Sequence, residues 1–219
     1  MGNALQEQGK LDEAIASYNK ALSMAPNNVF YTLAVFFSVP KILQSNDQML
    51  LVRNRFEENI SVLGTQTVDH SQKALYEDFR FGLSYSGSSN REIFFKFSNA
   101  LRAILPQLNY KCRSISNPNL SKGRRIKVGF CSKHLRRHTI GKLFKGIICK
   151  LNKTKFDVFV IHHPGTQHKD FWKDCCNEEL RHLVLPQTFA QQKDFLDSLN
   201  LDTLIYPDIG MDGLNYSLS

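Results

Sequence analysis

The sequence predicts an α + α/β protein, with a helical N-terminal part followed by part of a parallel α/β lobe. Two observations carry this. Residues 2–28 set small and large residues at helical spacing, as two short packed helices require. Residues 125–161 read strand, loop, helix, strand. Arg125–Phe130 alternate and are rich in apolar residues, and Lys133–Arg137 break the pattern with charge. Ile140–Leu151 then place Leu143, Phe144, Ile147, Ile148 and Leu151 on a helical stripe, and Phe156–Ile161 form a second apolar run. A strand–helix–strand of this length is the right-handed crossover unit of a parallel sheet. Such sheets bind ligands beyond the carboxyl ends of their strands, which draws attention to the loop at 133–138.

In the first helical pair, Gly9 permits a tight turn, Ala14 and Ala21 allow close approach, and Pro26 ends the second helix. With Gly2, Leu5 and Tyr18, these positions make residues 1–28 resemble a tetratricopeptide repeat that starts part-way into its first helix. A repeat unit cannot bury its own face without neighbours, so a fragment, or a helical cap on the next segment of the chain, is expected.

Residues 29–108 keep the helical period and form a helical linker region. Asp47–Leu63 carries Met49, Val52, Phe56, Ile60 and Leu63 on one stripe, with Gly64 as the stop. Gln72–Tyr85 is a further helix, and Asn90 is placed to cap one running through Ile104 before Pro106. Residues 109–122, polar and with one Pro, are the boundary loop, and 123–219 form the incomplete lobe. Within the lobe, Gln167–Leu180 reads as helix, Leu183–Leu185 as a short strand and Phe189–Leu199 as helix. Asp202–Asp208 reads as a buried strand entering the glycine loop I-G-M-D-G.

The net charge of +8 is unevenly distributed. Lys111–Lys155 holds fourteen Lys and Arg with no acid, leaving fourteen against twenty acids elsewhere, a balance of −6. A basic field of this kind attracts phosphate, whether in a nucleotide sugar, a nucleic acid or a membrane surface. Five cysteines, odd in number and without C-x-x-C spacing, read as reduced thiols of a cytoplasmic protein. No signal-peptide pattern opens the chain, and the longest apolar run, Val29–Val39, is too short to span a bilayer.

The stretches G-F-C-S-K-H-L-R-R-H-T-I-G-K-L-F, F-D-V-F-V and L-D-T-L-I-Y-P-D-I-G-M-D resemble the catalytic region of the SPINDLY/O-GlcNAc transferase-like family. R-F-G-L-S-Y-S-G-S-S-N-R-E is similar to the segment that joins repeats to catalytic lobe in that family. The resemblance implies a glycosyltransferase of two Rossmann-like lobes, of which this chain holds part of the first. It implies metal-independent transfer of N-acetylglucosamine from UDP-GlcNAc to Ser or Thr of acceptor proteins, with fucose transfer from a guanosine carrier as the SPINDLY alternative. In the family the donor sits mainly on the second lobe, so this chain alone is expected to be inactive. No further cofactor is implied.

His138 aligns with the active-site histidine of the family, and a neutral imidazole can act as acid, base or positioner near pH 7. Arg136, Arg137 and Lys142 offer charge to a phosphate or an acidic peptide, or form a solvated basic face. Asp208, Gly210 and Asp212 match the D-I-G-M-D loop, where glycine lets the backbone approach a ligand. Metal binding is disfavoured. His134 and His138 do not share one helical face, and no Cys or carboxylate completes a set with His162, His163 and His168. Nucleic-acid binding by the basic stretch, or partner binding by the repeat alone, are the non-enzymatic alternatives. Aromatics are not interleaved with the basic residues, and one repeat offers little concave surface.

Overall fold

Close approach of small residues shapes the N-terminal helices. In the computed structural model, which describes residues 1–40, 42–69, 83–84, 87–110, 123–167, 169–173, 180–209, 214 and 218, α1 (Gly2–Glu7) and α2 (Leu11–Met24) form a hairpin. Gly9 turns it with φ +78°, and Gly2 lies so close to the Tyr18 ring that a Cβ there would collide with it. The Tyr18 hydroxyl donates to Asn3 Oδ1 at 2.7 Å, so this buried phenol is satisfied.

The chain divides into two units, Met1–Asn109 and Tyr110–Ser219. In the first, α3 (Val29–Phe37) is apolar on most sides because it is buried on most sides, and Asn28 caps it by accepting the Tyr31 N–H. Next, α4 (Asn46–Leu63) is capped by Ser45 accepting the Gln48 N–H. Asn59 and Arg55 of α4 donate to the carbonyls of Phe36 and Val35, end groups that α3 itself cannot satisfy. The core is a triangle of Phe37, Phe56 and Phe97, the last on α5 (Arg91–Ile104), with centroids 4.7–5.5 Å apart. Burying each ring contributes about 1.5–3 kcal/mol.

Two end signals act otherwise than their residue types suggest. Gly64 closes α4 at φ −61°, in the right-handed region. The α4 carbonyls are taken instead by the Thr65 hydroxyl and the Gln66 N–H. Asn90 precedes α5 but makes no capping bond. Its amide group accepts from Arg53 of α4 and donates to the Leu83 carbonyl, tying a loop down instead.

The second unit holds a four-stranded parallel sheet, in the order β3-β2-β1-β4. Its strands are β1 (Ile126–Cys131), β2 (Phe156–His162), β3 (Arg181–Val184) and β4 (Thr203–Ile205). The helix α6 (Thr139–Lys150) links β1 to β2, and α8 (Phe189–Ser198) links β3 to β4. Between β2 and β3 the helix predicted over Gln167–Leu180 is described only as the short α7 (Lys169–Trp172), most of the remainder lying outside the described residues. Alternation sends Val128, Phe130, Val158 and Val160 to one face, where Ile148 of α6 and Trp172 pack. Cys131, Phe159 and Ile161 go to the other, with Leu196 and Leu199 of the α8 region. Both faces are thus covered, as a parallel sheet requires.

The strand predicted as buried over Asp202–Asp208 is shorter and lies at the edge. Pairing with β1 on one side alone, β4 leaves Thr203 exposed and Leu204 and Ile205 half-buried, and Pro207 lacks the N–H to extend the ladder. Cys149 is disulfide-bonded, which corrects the reading of all five cysteines as reduced thiols. Spacing along the chain carries no information on which cysteines meet in space. Most of the helix predicted over Gln72–Tyr85 and of the 109–122 loop falls outside the described residues. Among the described residues no helix is long and apolar enough to cross a membrane.

Asp202 seats the edge strand. Its carboxylate takes two bonds from the Arg124 guanidinium, at 2.7 and 2.5 Å, and one from the Lys127 N–H at 2.8 Å. The Arg124 hydrogen bond is the main reason its carboxyl lies below the usual range, against the opposing effect of burial. A folded value below the unfolded one gives stabilisation that is complete above the unfolded range, about pH 4, and is lost as pH falls through the folded value. Asp202→Asn is therefore expected to lower the melting temperature near neutrality, with the gap from wild type narrowing as the pH falls below about 4. Melting curves across that range check it, and a gap independent of pH would place the stabilisation elsewhere.

Candidate active site

The sheet order reverses direction between β1 and β4. The connection after β1 leads to a helix on one face, whereas β4 is reached from α8 on the other. A crevice at the carboxyl ends of two such strands is where open α/β sheets take their ligands. The loops that border it here contain His134–His138 after β1 and Asp208 after β4.

The β1–α6 loop is tightly wound. The Ser132 N–H continues the ladder to the Ile161 carbonyl, and the Ser132 hydroxyl accepts the His134 N–H at 2.8 Å. Two successive three-residue turns come next, Arg136 N–H to the His134 carbonyl and His138 N–H to the Arg136 carbonyl. They bring the rings of His134 and His138 into a stack with centroids 4.1 Å apart. The loop is held from outside as well. Leu135 is fully buried, and its carbonyl accepts the indole N–H of the buried Trp172 at 3.0 Å.

His138 is the N-cap of α6, its Nδ1 accepting the Ile140 N–H at 3.3 Å. An accepting Nδ1 carries no proton, so the ring that caps the helix carries its proton on Nε2. In this tautomer His138 offers a hydrogen-bond donor from the edge remote from the helix amides. To accept a proton at Nε2 it would first have to release the cap.

Asp208 is buried, and its carboxylate lies 3.8 Å from Nε2 of the largely buried His134. Asp208, His134 and His138 thus form a continuous line across the two loops. The sequence singles out the first and last of these but offers His134 only as a metal ligand. What joins them is the adjacency of β1 and β4, which the sequence does not state.

The basic residues are exposed. Arg136 donates from Nε to the Lys133 carbonyl and so braces its own loop. Arg137 is near Asp170, whose carboxyl is held low chiefly by the Lys173 hydrogen bond and less by the Arg137 charge. Lys142 stands exposed one turn into α6. Gly210 and Asp212 lie outside the described residues. A second histidine pair sits at the end of β2, where buried His162 meets His182 of β3 at 3.1 Å, with Trp172 against the His182 ring. Among the described residues no three His, Cys, Asp or Glu side chains converge as a metal-ligand group.

Residues 1–28 match the tetratricopeptide repeat family. The whole chain is similar to a mutant O-GlcNAc transferase from Thermobaculum terrenum, with a TM-score of 0.53 at 16% identity. The alignment covers 99% of this chain and 40% of that one. The fold is O-GlcNAc transferase-like. A search of curated proteins finds no sequence match. Fold likeness at this identity fixes the architecture, a repeat-like helical part and a parallel α/β lobe, and leaves chemistry to the residues.

The whole loop leans on Gly141. A Cβ there would run into the Arg136 carbonyl and come within 2.9 Å of the His134 carbonyl. Gly146, in the same helix, has nothing within 4 Å of its Cβ position. Gly141→Ala is expected to destabilise the protein and displace the His134–His138 stack. Gly146→Ala is expected to stabilise it by about 0.5–1 kcal/mol, the ordinary helix-propensity gain. Thermal melts of the two variants should move in opposite directions.

Proposed function

We propose that this chain supplies the acceptor-side lobe of a protein O-glycosyltransferase, with His138 meeting the reacting groups at the β1–β4 crevice. What carries the reading is the line from Asp208 through His134 to the stacked His138 at the reversal of strand order, on an O-GlcNAc transferase-like fold. The proposed reaction moves N-acetylglucosamine from UDP-GlcNAc to Ser or Thr of a protein, without a metal. The acceptor hydroxyl oxygen bonds the anomeric carbon as the bond to the diphosphate oxygen breaks. The hydroxyl proton goes to a base, and negative charge gathers on the leaving diphosphate.

With Nδ1 engaged in the helix cap, His138 serves as a donor to oxygen rather than as that base. A preorganised donor aimed at developing charge lowers the barrier because it needs no reorientation. Arg137 and Lys142 stand beside it as further positive charge, with Arg136, Gly210 and Asp212 as proposed substrate contacts. The repeat-like helices fit a role in holding the acceptor protein. The chain spans 40% of the length of the Thermobaculum transferase. A donor pocket shared between two lobes, as the resemblance implies, is not expected in these residues alone.

Two measurements test this. Titration calorimetry of the 219-residue chain with UDP and UDP-GlcNAc should give no saturable micromolar binding, and such binding would place a donor site here. In a protein joining this chain to a second lobe, His138→Asn and His138→Ala should each lower sugar transfer by about 100-fold or more. Asn is itself a good N-cap, so His138→Asn should melt like wild type, whereas His138→Ala should cost about 1 kcal/mol. Full transfer activity in His138→Asn would reduce His138 to a helix cap.

A further inference from the structure

A carboxylate removed from water keeps its charge only beside a cation or enough hydrogen-bond donors. The Asp208 side chain is 0% exposed and faces His134, itself 12% exposed, across 3.8 Å. On its other side the His134 ring lies within 26° of parallel to His138. The His134 ring is thus approached by Asp208 from the β4 loop and by His138 from the head of α6.

We propose that Asp208 and His134 form a buried positioning pair, with His134 as imidazolium, that holds the His138 ring in one orientation and one tautomer. Two stacked imidazolium rings at 4.1 Å would repel, so only one ring of the pair is to carry the additional, charging proton. Asp208 draws that proton to His134, and the helix cap keeps Nδ1 of His138 bare. The outcome is a fixed Nε2–H donor, matched to a hydroxyl or phosphate oxygen of the substrate. His134 and Asp208 need not touch that substrate. The use made of the pair rests on the proposed role of His138 in sugar transfer, but the pair itself can be observed without any sugar.

Ring-nitrogen NMR of the isotope-labelled 219-residue chain tests it. Near neutrality His134 should be protonated on both ring nitrogens and His138 on Nε2 alone. Asp208→Asn should weaken proton binding at His134 by at least about tenfold, and His134→Ala should leave His138 as a mixture of tautomers. A neutral His134 in the wild-type chain would overturn the proposal even if neither variant folds. So would His138 signals unchanged in folded forms of both variants. In the protein joined to a second lobe, a loss of sugar transfer in folded Asp208→Asn or His134→Ala supports the use made of the pair; intact transfer with these signals as expected would overturn the role of His138 and leave the pair standing.

Discussion

The constraint on which this lobe depends is the approach of helix α6 to the backbone of the loop before it. At Gly141 the helix presses against the carbonyls of Arg136 and His134 with no room for a side chain. That contact forces the loop into two consecutive tight turns, and the turns stack His134 on His138. It also sets His138 at the first turn of the helix, where its ring takes an amide that would otherwise lack a partner. One missing methyl group therefore fixes the geometry of the loop, the cap and the histidine tautomer together.

A second constraint is long-range. The approach of Asp208 to His134 exists only because β4 pairs with β1 rather than with β3, the strand before it in sequence. Three residue pairs are a short ladder, and a strand at the edge has a neighbour on one side only. The Arg124–Asp202–Lys127 cluster ties the start of β4 to the start of β1, while Leu201 and Leu204 pack over Gly129, where a side chain would clash with them. Asp208 is delivered to His134 by that seating. Stability at the amino end of the strands and placement at the carboxyl end are thus one problem solved by the same strand pair.

How much of the molecule is legible in the sequence depends on the range of each interaction. The apolar runs of β1 and β2 and the stripes of α4 and α6 are local patterns, and they foretell elements within a residue or two. Gly9 marks its turn because a positive φ is a local demand. Asn90 and Gly64 mislead because their expected roles are local while their actual surroundings are not. Arg53, from another helix, claims the Asn90 side chain, and Thr65 makes a left-handed glycine cap unnecessary. The edge position of β4 cannot be read, since an apolar run does not say how many neighbours it will have. The pairing of His134 with Asp208 is hidden for the same reason, as Asp208 lies far along the chain and only strand order brings the two together.

The basic stretch shows how composition and structure can diverge. Read as charge, fourteen cations without an acid suggest a phosphate-binding surface. In the fold, many of the described ones serve as structural donors. Arg124 holds Asp202, Arg125 reaches the Lys153 carbonyl, and Lys127 the Leu199 carbonyl. Lys145 bonds the Phe171 carbonyl, and Lys153 the Ile148 carbonyl near the end of α6, where a cation also meets the negative pole of the helix. A cation anchored in this way keeps its charge but loses the freedom to track a polyanion along its backbone. This weakens the case for a nucleic-acid interface. Arg137 and Lys142, by contrast, stay exposed on either side of His138 in the chain, so the charge of the stretch that remains open to solvent includes the head of α6.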